Sequence, residues 1–171
     1  MIIYAVDISR SARQYIEFQR SFVTQNAERC ASDHEGFGLV VYASRAAPVI
    51  ERTRDPRQLE EALAGAATMR GIPEPVKAVK EALEIIFYQR AGMPAVGDML
   101  VLLWSMPKKP KIPVSYARAM ANSVGVSLRV VGLQYGPPKW FRSYRYDPGV
   151  EIIYKRRLGE SELARKIGCG P

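Results

Sequence analysis

Four runs of this chain are apolar with almost no interruption: "IIYAVDI" (2–8), "FGLVVYAS" (37–44), "DMLVLLWS" (98–105) and "VSLRVVGLQ" (126–134). A strand with one wet face alternates apolar and polar residues; a continuous run reads as buried on both faces. Strands of that kind belong inside a mostly parallel sheet covered by helices on both sides. The segments between them fit. In "SARQYIEFQRSFVTQNAERCA", Tyr15, Phe18, Phe22 and Ala27 recur at near-helical spacing, and in "PVKAVKEALEIIFYQR" Val76, Val79, Leu83 and Ile86 share a face behind Pro75. "VSYARAMANSVG" stops at Gly125, Asp55 caps "PRQLEEALAGAA", "APVIERT" forms a hairpin with the second run, and "ESELARKIG" is the last helix. The pattern predicts strands over 2–7, 37–43, 99–104 and 127–133, with 2–7, 99–104 and 127–133 parallel. Helices are expected near 12–30, 75–90 and 115–124. The fold class is α/β: a Rossmann-like open, mostly parallel sheet with helices on both faces. One domain spans 1–171, with a basic aromatic insertion at about 136–157 that contains a short strand, "VEIIYKRR".

The composition narrows the function classes. The 171 residues suit one domain with a real core, at 47% hydrophobic and 25% charged. "MIIYAVD" is too short and lacks a basic leader for a signal peptide, and "MLVLLWSM" is far below a membrane span. The expectation is a soluble, intracellular, cytoplasmic protein with no membrane partner. Cys30 and Cys169 show no CxxC spacing, so no zinc site is readable, and in a reducing cell two reduced thiols are expected, with a disulfide as the alternative. His34 is the only histidine and lies in the polar run "SDHEG", where it reads as a solvated loop residue. No Walker loop, dinucleotide glycine fingerprint or carboxylate cluster is present, so catalysis ranks last. Residues 1–106 carry 12 Lys/Arg against 13 Asp/Glu, and residues 107–171 carry 13 against 4, which puts the surplus on the C-terminal third. Such asymmetry suits an anionic partner.

The first strand ends in "DISRS". In an open α/β sheet ligands bind beyond the carboxyl ends of the strands. Asp7, Ser9 and Ser11 stand at that edge and offer one carboxylate and two hydroxyls, donors that suit a hard cation such as Mg²⁺. The alternative is structural: a serine caps the following helix while Asp7 accepts N–H bonds in the turn.

"AVDISRS" resembles the Asp-x-Ser-x-Ser motif of the von Willebrand factor type A (vWA) domain family, at its metal-ion-dependent adhesion site. "GFGLVVYASRAAPVI" resembles the family's second and third strands, "RGIPEPVKAVKEALEII" its second loop and central helix, "DMLVLLWSMP" and "VGVSLRVVGLQ" its next strands, and "ESELARKIGCG" its last helix. Only the first motif is specific. The threonine of the second loop falls near Ile72, with Thr68 upstream and Glu74 downstream, and the aspartate after the fourth strand falls on Ser105. The resemblance implies Mg²⁺ at Asp7, Ser9 and Ser11 with Ser105 or Glu74 completing the shell; the two altered loops leave a vestigial, metal-free site as the alternative. It also implies a non-catalytic protein-interaction module that engages an acidic residue of another protein. The family's sheet ordinarily carries one more edge strand after the last helix, a place that "VEIIYKR" would fill.

Two basic segments extend the candidate surface. "PKKPK" (Lys108, Lys109, Lys111) follows the fourth strand, on the same edge as Asp7. "KWFRSYRY" interleaves Lys139, Arg142 and Arg145 with Trp140 and other aromatics. Such residues form protein hot spots, stack on nucleic-acid bases, or pack the insertion onto the domain. A nucleic-acid-associated module in DNA repair, transcription or RNA binding, using the basic C-terminal third, is the alternative function.

Overall fold

The computed structural model describes residues 1–91, 93, 95, 97–142, 151–155 and 159–170. The apolar runs are the strands the sequence predicts: β1 (Ile2–Asp7), β2 (Phe37–Tyr42), β4 (Met99–Trp104) and β5 (Ser127–Gly132). β3 (Ala46–Thr53) returns antiparallel to β2, and β6 (Ile152–Tyr154) lies parallel to β5. The six-stranded sheet has the order β3-β2-β1-β4-β5-β6, parallel throughout except for β3. Ile152–Tyr154, the described strand of this segment, therefore occupies a sheet edge. Gly132 makes room for it: a Cβ there would lie 2.7 Å from a ring carbon of Tyr154.

The side chains of β1 show why both faces are apolar. Ile2, Tyr4 and Val6 pack with Phe18, Phe22 and Val23 of α1 (Ile16–Cys30), with Leu59 of α2 (Pro56–Ala64) and with Leu163 of α6 (Glu160–Ile167). Ile3 and Ala5 point the other way, toward Val79 and Ile86 of α3 (Pro75–Gln89) and Ala117 of α4 (Val114–Ser123). Asp55 caps α2 by accepting from the Arg57 N–H at 3.0 Å, and α4 gives way to a left-handed Gly125 at φ +81°. A one-turn helix α5 (Lys139–Arg142), not predicted, opens the insertion.

Three expectations are corrected. The helix expected near 12–30 is split: residues Arg10–Tyr15 wind as a 3-10 turn, with Ala12 N–H donating to Ser9 O at 3.0 Å, and α1 starts at Ile16. The cysteines are not free thiols. The end of α1 and the segment after α6 bring Cys30 and Cys169 to a Cα separation of 5.2 Å, and the two are joined in a disulfide. Such bonds persist in oxidising environments, whereas the expectation of free thiols had assumed a reducing one. His34 is half-buried, with its ring Nε2 hydrogen-bonded to Cys169 O rather than solvated alone. Among the described residues no helix is long and apolar enough to cross a membrane.

Candidate functional site

β1 delivers Asp7 to the carboxyl edge of the sheet, beside the end of β4, where Ser105 follows Trp104. Asp7 is fully buried and its carboxylate is saturated. Oδ1 accepts from the Ser9 N–H at 3.0 Å and the Ser9 Oγ–H at 2.6 Å; Oδ2 accepts from the Ser105 N–H at 2.8 Å and the Ser105 Oγ–H at 2.6 Å. Ser11 Oγ closes the ring, 2.8 Å from Ser9 Oγ and 3.2 Å from Ser105 Oγ. With an ionised Asp7, three hydroxyl protons serve four oxygen–oxygen contacts in this ring. Burial raises the Asp7 pKa above the usual aspartate value, and the four hydrogen bonds from Ser105 and Ser9 only partly offset it.

Gln19 holds the backbone of Asp7. Its Oε1 accepts from the Asp7 N–H at 3.0 Å and its Nε2 donates to Asp7 O at 2.8 Å, so a fully buried amide of α1 stands in for a strand partner. On the other side, Gln134 Nε2 donates to Ser105 O (3.0 Å) and Met106 O (3.3 Å). Met106 turns the chain in the left-handed region at φ +54°, fully buried. Sequence reasoning missed Gln19, Gln134 and Met106. Gln19 carried a signal: it lies four residues after Tyr15 and three before Phe22, on the face that packs the core.

The other sequence-derived residues are distributed around this ring. Glu74 is buried, but its carboxylate accepts from the Lys111 N–H at 3.2 Å and makes no hydrogen bond to the ring. Lys108, Lys109 and Lys111 are exposed in the loop after β4, as expected. Lys139 is exposed on α5, whereas Trp140 packs half-buried against Trp104, centroids 5.6 Å apart, with its Nε1 donating to Met106 O at 3.1 Å. That is the packing role the sequence had left open. The side chain of Arg142 and all of Arg145 lie outside the described residues.

The structure also redraws the charge. The loops at the carboxyl edge, residues 8–15, 43–45, 65–74, 105–113 and 133–139, contain eight Lys/Arg and a single carboxylate, the inward-turned Glu74. Four of the cations, Arg10, Arg13, Arg45 and Arg70, come from residues 1–106, where the sequence count found no surplus of positive charge.

The ring can be tested as a cation site. Its donors are right in kind, one carboxylate and three hydroxyls. The Oγ spacings of 2.8 and 3.2 Å bracket the roughly 2.9 Å between adjacent oxygens around a Mg²⁺ ion. The charge is low: Ser105 is neutral, and among the described residues no three His, Cys, Asp or Glu side chains cluster as metal ligands. The residues fit a hard cation as oxygen donors, and an anion from outside would have to supply the second negative charge.

No protein-family model and no curated protein sequence matches the chain. Solved structures do. The SpRpn10 VWA domain superposes with a TM-score of 0.72 at 12% identity, over 99% of this chain and 97% of that one. Proximal thread matrix protein 1 from the mussel byssus, described with a zinc-occupied MIDAS motif, gives 0.69 at 15% identity; the match covers 96% of this chain, which spans 45% of that protein's length. The manganese-loaded TRAP protein of Plasmodium vivax gives 0.68 at 13% identity, over 99% and 73%. Together with the strand order and the placement of "DISRS" at the sheet edge, these likenesses establish that the chain has the von Willebrand factor type A fold.

Proposed function

We propose that the chain is a non-catalytic protein-interaction module that meets its partner at the carboxyl edge of the sheet. The observation that supports this best is the convergence of Asp7, Ser9, Ser11 and Ser105 at an edge whose loops expose cations and turn their one carboxylate inward. An acidic side chain of another protein is the group that suits such an edge. Lys108, Lys109, Lys111 and Lys139 attract it from a distance, and complementary charge of this kind raises association rates and selects the partner.

In the finer form of this reading, Asp7, Ser9 and Ser11, with Ser105 beside them, hold Mg²⁺ once the partner's carboxylate has joined the site. Bound there, Mg²⁺ supplies a positive centre that links that carboxylate to the domain. The chain's own part is to keep four oxygens in place: Gln19 fixes the Asp7 backbone and Gln134 fixes Ser105. The lone carboxylate of Asp7 makes metal and partner mutually dependent, because either alone leaves the site with unbalanced charge. Glu74 contributes to the edge by holding the Lys111 backbone.

A random peptide library displayed on phage and selected on the immobilised domain in Mg²⁺ tests this. Acidic peptides should be enriched, should shift the amide resonances of Ser9, Ser11 and Ser105, and should elute with EDTA. Peptides that map to another face would overturn the proposed surface. Enrichment that survives EDTA would reject the Mg²⁺ part alone, and preferential capture of single-stranded DNA or RNA would favour the nucleic-acid alternative.

A further inference from the structure

The domain is polarised from end to end. The carboxyl edge carries eight cations in its loops, and no ion pair among the described residues engages Arg10, Arg13, Arg70, Lys108 or Lys139. That edge also exposes large apolar side chains: Ile72 (40%), Ile112 (40%), Tyr116 (60%) and Tyr135 (71%). The opposite end carries the complementary set. The lower half of α3 presents Glu81 and Glu84 beside Glu51 of β3, in a groove of about 320 Å³ that Tyr88 also lines. On its other flank, between α3 and the end of α4, lies an apolar groove of about 370 Å³ lined by Leu83, Phe87, Met93 and Val124. Phe87 (60%), Tyr88 (80%), Met93 (71%) and Val124 (43%) are exposed there. Apart from Val49 on β3, every large hydrophobic side chain exposed among the described residues belongs to one of these two patches. One patch is apolar and cationic, the other apolar and acidic. They lie at opposite ends because α3 and α4 both run back from the carboxyl edge.

We propose that a second copy of this chain occupies the α3–α4 groove, with the carboxyl edge of one copy seated on the lower half of α3 of the next. Glu81 and Glu84 then face Arg70 and Lys108, while Phe87, Met93 and Val124 cover Ile72, Ile112 and Tyr135. Complementary charge around an apolar centre is the anatomy of a specific interface. Because the two patches differ, the contact is heterologous, and it propagates into longer assemblies unless the rotation closes a ring. This inference rests on the reading of the carboxyl edge as a protein-interaction surface and makes the acidic partner another copy of the chain.

Sedimentation velocity on the full chain tests it, with a face variant, Glu81→Lys/Glu84→Lys, and an edge variant, Arg70→Glu/Lys108→Glu. Glu84, Arg70 and Lys108 are exposed and Glu81 is half-buried, and circular dichroism confirms that each variant folds. The wild type should form a concentration-dependent series at low salt that returns to monomer at high salt. Each variant alone should lose association by at least about tenfold in Kd, given two reversed pairs. Mixed, the variants should associate again in alternation, because the native edge of the face variant meets the native face of the edge variant and the reversed face meets the reversed edge. A wild type that stays monomeric to millimolar concentration overturns the inference, as does a mixture that does not associate or a single variant that self-associates as tightly as the wild type. If the monomeric protein still captures displayed acidic peptides at its carboxyl edge, the inference falls and the interaction module stands. If neither association nor capture occurs, both fall.

Discussion

Reducing the Cys30–Cys169 bond should remove a large share of the stability while leaving the fold intact. The bond closes a loop of sequence separation 139. On the chain-entropy account a loop of that length restricts the unfolded state by about 5 kcal/mol. A domain this size has a total stability of roughly 5–15 kcal/mol, so the loss is a third or more of it. The contacts that dock the C-terminal segment do not depend on the bond. Leu163, Ala164 and Ile167 stay buried, Asn26 Nδ2 donates to Ala164 O and Gly168 O at 3.3 Å, and Arg129 donates to Gly170 O at 3.2 Å. Urea melts followed by far-UV circular dichroism, with and without dithiothreitol, should show a lower midpoint and a native-like spectrum before the transition. A thiol count of zero should be found in the denatured, unreduced protein. Two free thiols under those conditions, or a reduction that costs less than about 1 kcal/mol, would refute the reasoning.

Four further outcomes follow from the geometry. Gln19→Ala strips both backbone groups of Asp7 of their side-chain partners and should cost about 2–4 kcal/mol in a chemical melt. Ser105→Asp places a second carboxylate against Asp7; the variant should be destabilised in EDTA and regain stability on adding Mg²⁺, which a thermal-shift titration reads directly. Burial pushes the Asp98 carboxyl up, but hydrogen bonds from Arg90 and the N-terminal ammonium bring it below the usual aspartate value. Its contribution is therefore present above the ordinary aspartate pKa and disappears as pH falls through the lowered one, so the stability gap between wild type and Asp98→Asn should be full at neutral pH and close in acid. Trp140→Ala should lower the melting temperature, because the indole covers Trp104 and bonds Met106 O; an unchanged melt would return Trp140 to the list of free contact residues.

The parts of this molecule legible in its sequence are those governed by local pattern. Continuous apolar runs mark strands covered on both faces, Pro75 and Asp55 mark helix starts, and the spacing of "DISRS" marks the sheet edge. What was not legible depends on distant partners. Nothing near Gln19 in sequence says that it will clasp Asp7, twelve residues away, although a glutamine on an apolar helix face asks for a buried partner. Cys30 and Cys169 meet only because α6 packs along α1, so their separation in sequence said nothing about a bond. Charge misled for the same reason. Counted along the chain the surplus belongs to the C-terminal third, but the sheet gathers Arg10, Arg13, Arg45 and Arg70 at the edge where the three lysines of "PKKPK" emerge. Trp140 reads equally as packing, protein contact or base stacking in an aromatic run, and its place against Trp104 required the fold.

The central claim is that this edge takes an acidic partner, and that Asp7 holds a cation only in that partner's company. Isothermal titration of Mg²⁺ into the domain, first alone and then in the presence of excess selected acidic peptide, separates the two possibilities. Mg²⁺ alone should give no saturable heat at millimolar concentration, the peptide should bring a one-to-one isotherm, and Asp7→Ala should lose it. Tight Mg²⁺ binding without peptide, or peptide binding of equal strength in EDTA and in Asp7→Ala, would contradict it.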